Sequence, residues 1–207
     1  MTVAYDIKAD IVDIRFDKPR HLDSFFVDTN VWYWYDYIPA SLNAANYQVK
    51  EYPEYIKKIK SVNAQMIRSN LILPELAHII EDTEYKIFCK SNHLDPKNFP
   101  KKEYRHNHPS ERKNVVHDIE GVWETVKNIT SPVSMSIDDP AADTFVTDLK
   151  LHKMDGYDLF NLDLIRRLGV NVLTDDGDFA TVPGITVFTA NYNVIDAARK
   201  CSQLKIR

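Results

Sequence analysis

Residues 24–29 read SFFVDT, and residues 156–179 read GYDLFNLDLIRRLGVNVLTDDGDF. The first stretch is a short apolar run that ends in polar residues, which is typical of a buried strand. The second predicts a helix over 157–168 that ends at Gly169, then a strand over 170–173 and a turn-rich segment. Such units favour an α/β sandwich in which helices pack around a parallel sheet.

The sequence on either side of these two stretches predicts further elements. Weak alternation within 3–16 indicates a strand, which we expect at the edge of the sheet or as an accessory. The further elements that we expect are strands at 70–73, 132–137 and 185–188, and helices over 51–68, 74–89, 111–128, from 138 onward and over 191–203. Prolines and polar residues predict a loop over 91–110. The aromatic run at 31–37 has no clear period, and we expect it to pack in the core rather than to offer a stacking surface to a ligand.

Composition excludes several classes of protein. The chain has 207 residues, of which 44% are hydrophobic and 27% charged, as in an ordinary globular domain. Its two cysteines, which we expect to be buried thiols, exclude a disulfide scaffold and a multi-cysteine zinc site. No apolar run is long enough to span a membrane, and the N-terminus does not resemble a signal peptide, so we expect a cytoplasmic protein. The net charge of −4 argues against a protein that coats nucleic acid by bulk attraction.

Acidic residues follow the predicted strands, where open α/β sheets bind their ligands. Each of them also has an ordinary interpretation as a helix cap or a turn residue. We expect them to form one shared acidic site at one rim of the sheet. The candidates are Asp28 after the first strand, Glu75 after the strand at 70–73, Asp158 at the start of a helix, and Asp176 after the strand at 170–173.

Three segments taken in order, FFVDTNVW, LILPELAHIIE and GYDLFNLDLIRRLGVNVLTDDGDF, resemble the PIN-domain family. The resemblance covers about 24–90 and 154–190. It implies a three-layer α/β/α sandwich with a mainly parallel central sheet. Residues 1–207 would form a single PIN-like domain, with an N-terminal extension at about 1–23 and an insertion at about 91–135 that the resemblance does not explain.

The resemblance implies a metal-dependent endoribonuclease. Asp28, Glu75, Asp158 and Asp176 would be catalytic and would bind Mg²⁺ or Mn²⁺, because neighbouring carboxylates need a cation to remain ionised and these metals prefer oxygen ligands. A metal-bound water loses its proton more easily and can attack phosphorus. The residues expected to orient ligands or waters are Asn30, Thr174 and Asp178. Asp155 is a rival for the third acid, and Asp175 or Asp178 for the fourth.

The physiological role is left open by the sequence. Many small PIN proteins are toxins of VapC type, so an RNA substrate and an antitoxin partner encoded beside this chain are implied by the resemblance, and a homodimer is open. The alternatives are a catalytically silent module that binds RNA or protein, and a DNA structure-specific nuclease.

The segment 97–113 carries six lysines and arginines against two glutamates, in an otherwise acidic chain. A nuclease with an acidic pocket needs cations nearby to hold the phosphate chain. We therefore predict that Lys101, Lys102 and Arg105 contact RNA beside the active site, with Tyr104 stacking on a base. A solvated loop or a dimer contact is the alternative interpretation.

Overall fold

The computed structural model of the chain describes residues 4–135 and 138–207. Within those ranges it contains seven strands and eight α-helices. The strands are β1 (Asp10–Asp13), β2 (Ser24–Val27), β3 (Gln65–Arg68), β4 (Ser131–Pro132), β5 (Asn171–Leu173), β6 (Thr186–Thr189) and β7 (Leu204–Lys205). The helices are α1 (Thr29–Asp36), α2 (Asn46–Ser61), α3 (Ile72–Ser91), α4 (Lys101–Asn107), α5 (Pro109–Ile129), α6 (Asp139–Leu151), α7 (Gly156–Leu168) and α8 (Tyr192–Lys200).

All seven strands are parallel, in the order β4-β3-β2-β5-β6-β1-β7. From β2 the chain steps outward to β3 and β4, and from β5 it steps the other way to β6. The strand order therefore changes direction between β2 and β5, which pair Phe26 with Val172 and Val27 with Leu173. Such a switch point leaves a crevice at the carboxyl ends of the two strands, where α/β folds bind ligands.

Helices cover both faces of the sheet, which makes the fold a three-layer α/β/α sandwich. Right-handed crossovers place the helices between β2 and β4 on one face, and α6 and α7, which return the chain to β5, on the other. The contacts agree, since α1 packs on α2, α3 and α5, whereas α6 packs on α7. Because both faces are covered, Phe25, Phe26 and Val27 of β2 are all fully buried.

Several predicted elements are confirmed. The strand in SFFVDT is β2, and the helix that ends at Gly169 is α7, with Gly169 in the left-handed conformation at a φ of 63°. Asp138 caps α6 by accepting a hydrogen bond from the Ala141 backbone N–H, as expected at this helix start. Helices α5 and α8 and strands β5 and β6 also lie where the sequence predicts them, although α8 ends at Lys200.

The boundary between the second helix and the next strand was predicted wrongly. The helix predicted over 51–68 is α2, which ends at Ser61, and residues 65–68 form β3. The strand predicted at 70–73 is instead a turn that leads into α3, where Pro74 is the third helical residue rather than the first. Met66 and Ile67 fit a helical period and a buried strand equally well, so only pairing with β2 decides between them.

The loop predicted over 91–110 is wrong in its second half. Residues 101–107 form α4, and α5 begins at Pro109. Tyr104 is 1% exposed and packs with Tyr85, Phe99 and Val115 in a small second core. Burial of apolar side chains thus overrides the local turn signals. Of the strand predicted at 132–137, Pro132 lies in β4, and residues 136–137 lie outside the described ranges.

The N-terminal extension belongs to the sheet. β1 lies between β6 and β7 and pairs with both, so it is not an edge strand. Ile11, Val12 and Ile14 are buried in the main core.

The aromatic run and the two cysteines differ in how well their predicted burial matches the structure. The aromatic run at 31–37 packs on the core as expected, with Trp32, Tyr33 and Tyr37 buried. Cys89 is buried, whereas Cys201 is exposed, so the prediction for Cys201 was wrong. Among the described residues, no helix has the length and apolar character needed to cross a membrane.

Candidate active site

The candidate site lies at the carboxyl ends of β2 and β5, the strands that flank the switch point. Asp28 follows β2 directly, and Thr174 to Asp178 follow β5. The first turns of α3 and α7 bring carboxylates to the same place. We call the following residues the acidic site: Asp28, Glu75, Asp155, Asp158, Asp176 and Asp178.

Asp28 does not act as a simple helix cap. It occupies the position before α1, yet its side chain makes no capping hydrogen bond. Instead its Oδ2 accepts a hydrogen bond from Thr174 Oγ1 at 2.7 Å. Burial raises the pKa of the Asp28 carboxyl well above its usual range, and the nearby Glu75 and Asp176 raise it further, against the opposing hydrogen bond from Thr174.

Glu75 enters the site from the first turn of α3. Its Oε2 accepts a hydrogen bond from Thr29 Oγ1 at 2.5 Å, which fixes the carboxylate beside the start of α1. Burial is the main cause that raises the pKa of Glu75, and the charges of Asp155 and Asp176 add to it. A glutamate that served only the helix dipole would stand in solvent, so these contacts favour a site residue over a purely helical role.

Helix α7 contributes two acids with different local roles. Asp155 Oδ1 caps the helix by accepting the backbone N–H groups of Tyr157 at 3.0 Å and Asp158 at 3.1 Å. Asp158 lies in the first turn and is 6% exposed. Burial raises the pKa of Asp158, and the neighbouring carboxylates raise it further, Asp28 first and then Asp155. Asp158 therefore faces the same rim as Asp28, and Asp155 stands beside it.

The three aspartates in the turn after β5 make different contacts. Asp176 faces the other acids, and its Oδ1 accepts the Asp178 backbone N–H at 2.8 Å. Burial and then the charge of Asp176 raise the pKa of Asp178 to about 6. Asp175 is held elsewhere, because it accepts hydrogen bonds from Tyr47, Gln48 and Tyr52. Three neutral donors give Asp175 an anchoring role, so the geometry favours Asp176 for the fourth acid.

The charge of the acidic site is not balanced by basic side chains. Among the described residues, none of the six carboxylates forms an ion pair with a lysine, arginine or histidine. Buried like charges normally require a cation or bound protons. An all-oxygen donor set with this excess of negative charge suits a hard divalent cation.

The carboxylates of the acidic site stand apart from one another. In the ranges 4–135 and 138–207, no three His, Cys, Asp or Glu side chains stand close enough together to hold one metal ion as they are placed. The acids are near enough to raise one another's pKa, but they do not form a closed coordination shell. The donor chemistry therefore fits a divalent cation, and binding would require the carboxylates to draw together.

The residues predicted to orient ligands have distinct positions. Thr174 is fully buried; it donates to Asp28 and accepts the Asp176 backbone N–H at 2.9 Å, so it joins two of the acids. Asn30 is half-buried in the first turn of α1. The sequence interpretation missed Thr29, whose hydroxyl contacts Glu75. The signal available for Thr29 was only its place between Asp28 and Asn30.

The basic segment is less free than the sequence suggests. Arg105 and Arg112 both pair with Glu81, and Lys101 pairs with Asp82 on the same helix. Asp82 lies seven residues beyond Glu75 on α3, about 10 Å along the helix axis. Lys102 is exposed. Because Tyr104 is buried, it cannot stack on a base, and that part of the prediction was wrong.

No protein-family model matches the sequence, and no curated protein is significantly similar to it.

Proposed function

We propose that this protein is a metal-dependent endoribonuclease that hydrolyses RNA phosphodiester bonds at the acidic site. The observation that supports the proposal most strongly is the convergence of carboxylates at the switch point of a parallel sheet, where Asp28 and Asp158 are buried and Glu75, Asp176 and Asp178 are half-buried. None of them has a basic partner among the described residues. A structural role would pair these charges or replace them with neutral residues, because unpaired buried carboxylates destabilise a fold. Such a cost is typical of active sites.

Asp28, Glu75, Asp158 and Asp176 would hold Mg²⁺ or Mn²⁺. When bound, the metal would make a coordinated water more acidic and offset charge on the phosphoryl oxygens. The chain's own contribution is to orient the oxygens. Thr174 fixes one oxygen of Asp28, Thr29 fixes one oxygen of Glu75, and the short turn at Gly177 keeps Asp176 beside them.

RNA is the substrate that we propose, with an antitoxin as the protein partner. Two rival functions make different predictions. A DNA structure-specific nuclease would cut branched or flapped DNA in preference to RNA. A silent binding module would bind RNA or protein without cutting.

The test is incubation of the purified chain with end-labelled RNA, with single-stranded DNA of the same sequence and with a flapped DNA duplex. Each reaction contains Mn²⁺, Mg²⁺ or EDTA. We expect RNA cleavage with either metal and none with EDTA. Asp28→Asn and Asp158→Asn should each lower the rate by at least about 100-fold. Asp163→Asn is the matched control, because Asp163 lies on the same helix as Asp158 but is exposed.

A thermal-shift assay tests the metal independently of cleavage. Mn²⁺ at 100 times its Kd should stabilise the native chain by about 2.7 kcal/mol, and the gain should be much smaller in Asp28→Asn. Equal cleavage with EDTA present would contradict the metal mechanism. Cleavage of flapped DNA alone would favour the DNA nuclease. Metal binding and RNA binding without any cleavage would favour the silent module.

A further inference from the structure

Beside the acidic site lies a small cavity that is lined mostly by residues outside the PIN-like segments. Its volume is about 160 Å³, and it is lined by Tyr5, Lys8, His152, Lys153, Asp178 and Thr181, among others. Three segments build it: the chain before β1, residues 151–153 at the end of α6 and just after it, and the segment that follows β5. Asp178 belongs both to this cavity and to the acidic site, so the two are adjacent.

Tyr5 forms the wall between the cavity and the acidic site. Its ring lies directly on Gly177, where a Cβ atom would overlap three carbons of the ring. Glycine at position 177 is thus required for Tyr5 to approach the turn that carries Asp176 and Asp178. Burial and the charges of these carboxylates raise the pKa of Tyr5, so its hydroxyl keeps its proton at neutral pH. That hydroxyl makes no hydrogen bond within the described ranges.

The opposite side of the cavity carries two lysines, Lys8 and Lys153, together with the carboxylate of Asp6. Lys153 is exposed and forms no ion pair with any residue in 4–135 or 138–207. Lys8 pairs only with Asp6, at 3.3 Å, and both side chains are more than half exposed. Such an exposed pair contributes little, so a phosphate can replace Asp6 at small cost. Two ammonium groups and a free phenol donor are suited to an anion.

The size of the cavity limits what it can hold. Pockets for drug-sized ligands are typically about 300–1,000 Å³. A cavity of about 160 Å³ fits a phosphate group with part of its sugar rather than a whole nucleotide. Two exposed lysines, Lys8 and Lys153, line it, so it reaches solvent and is not a packing defect of the core.

We propose that this cavity binds the phosphate of the nucleotide next to the bond that is cut, with Lys8 and Lys153 as counter-charges and Tyr5 as a hydrogen-bond donor. The inference rests on the proposed function, because it supplies the cations that the acidic site lacks. It assigns a substrate-binding role to the N-terminal segment. The substrate class is single-stranded RNA, whose flexible backbone can enter a pocket of this size.

The test measures binding separately from cleavage. A fluorescein-labelled single-stranded RNA of 15 nucleotides is titrated with the native chain, in EDTA and in Ca²⁺, over a series of salt concentrations. The double variant Lys8→Gln, Lys153→Gln should bind about tenfold more weakly at low salt. Its log–log salt slope should be shallower by about 0.7, since the cavity holds one phosphate and each phosphate contact with single-stranded nucleic acid contributes about 0.7. The matched control is Lys57→Gln, Lys60→Gln, two exposed lysines on α2.

Tyr5→Phe provides a second measurement that a structural role would not reproduce. It keeps the ring on Gly177, so the melting temperature should not change. The loss of one neutral donor should weaken RNA binding several-fold while leaving the salt slope unchanged, because a hydroxyl displaces no counterions.

The outcomes separate the two proposals. Lysine-dependent binding without cleavage by the native chain would leave the RNA subsite in place and reject the nuclease. Metal-dependent cleavage together with native affinity and native slope in the lysine double variant would reject the subsite alone. If the native chain binds no RNA in either buffer, or if the α2 control loses as much affinity as the double variant, the subsite is likewise rejected.

Discussion

At the scale of single residues, Thr174 links the acids to each other. It is fully buried, donates to Asp28 and accepts from the backbone of Asp176. A hydroxyl can serve both partners because it is donor and acceptor at once. Position 174 therefore requires a hydroxyl and not merely a small side chain.

Thr174→Val tests this role with almost no change in volume. The variant leaves one buried carboxylate oxygen and one backbone N–H without their partner, which should destabilise the chain by about 1–3 kcal/mol. Chemical denaturation in EDTA measures the loss. Thr174→Ser should restore most of the stability; if Ser and Val behave alike, packing of the methyl group explains the residue better than its hydrogen bonds do.

Asp158 gives a prediction with a definite dependence on pH. Folding raises its pKa, so between the unfolded and folded values the native chain binds more protons than the unfolded chain. The free energy of unfolding should therefore fall as pH rises from about 4 through the neutral range. Asp158→Asn should flatten this fall and stabilise the metal-free chain at pH 8 by at least about 1 kcal/mol, or roughly 2–4 °C in Tm.

Denaturation from pH 5 to pH 8 in EDTA measures the Asp158 effect, and Asp163→Asn serves as the exposed control. A stability that rises over this range, or that falls equally in both variants, would mean that the acids of the site do not repel one another in the folded chain.

At the scale of elements, α4 is held by charge as well as by its aromatic core. Glu81 is 7% exposed and forms ion pairs with both Arg105 and Arg112. These two arginines lower the pKa of Glu81. The partners come from α3, α4 and α5, so one carboxylate joins three helices. The local sequence around α4 reads as a loop, and its helix depends on these tertiary contacts.

Glu81→Gln should loosen α4 selectively. The arginines are about half exposed, so solvent screening limits the loss of stability to about 1 kcal/mol. Hydrogen exchange should speed up at the amides of residues 101–107 and much less in α7.

Because its pKa is lowered on folding, Glu81 stabilises the chain above its unfolded pKa, and this contribution should disappear as pH falls through the folded value. Glu120→Gln on the exposed side of α5 is the control; equal exchange in both variants would show that the aromatic core alone holds α4.

At the scale of the whole molecule, Arg207 ties the end of the described chain to the segment between β1 and β2. Its guanidinium contacts Asp17 at 2.8 Å and Asp23 at 2.8 Å, and it lies over the ring of Phe188. Asp17 is almost fully buried and also accepts a hydrogen bond from Tyr55 at 2.5 Å. The ion pairs, the Tyr55 hydrogen bond and the Phe188 contact thereby connect the residues after β7 with the N-terminal extension, α2 and β6.

Arg207→Gln should be the most destabilising of these substitutions. It leaves the Asp17 carboxylate buried with only a neutral donor, a change that costs about 3–5 kcal/mol when a buried pair is broken. For a chain of this size the melting temperature should fall by roughly 6–20 °C. Calorimetry checks the result, with Lys205→Gln as the control because its pair with Asp10 is exposed. A drop of less than about 1 kcal/mol would show that solvent or Tyr55 already compensates Asp17.

The sequence alone determined the α/β class, the helix that ends at Gly169, and the acids that follow β2 and β5. These depend on local properties: apolar runs, a left-handed glycine and capping residues. Tertiary structure alone decided that residues 65–68 form a strand, that α4 is helical, and that Asp175 turns away from the acidic site. Each of these depends on a partner distant in sequence: β2 for residues 65–68, Glu81 for α4, and three side chains of α2 for Asp175. The place of Tyr5 on Gly177 has the same cause, because 172 residues separate two positions that no local pattern can connect.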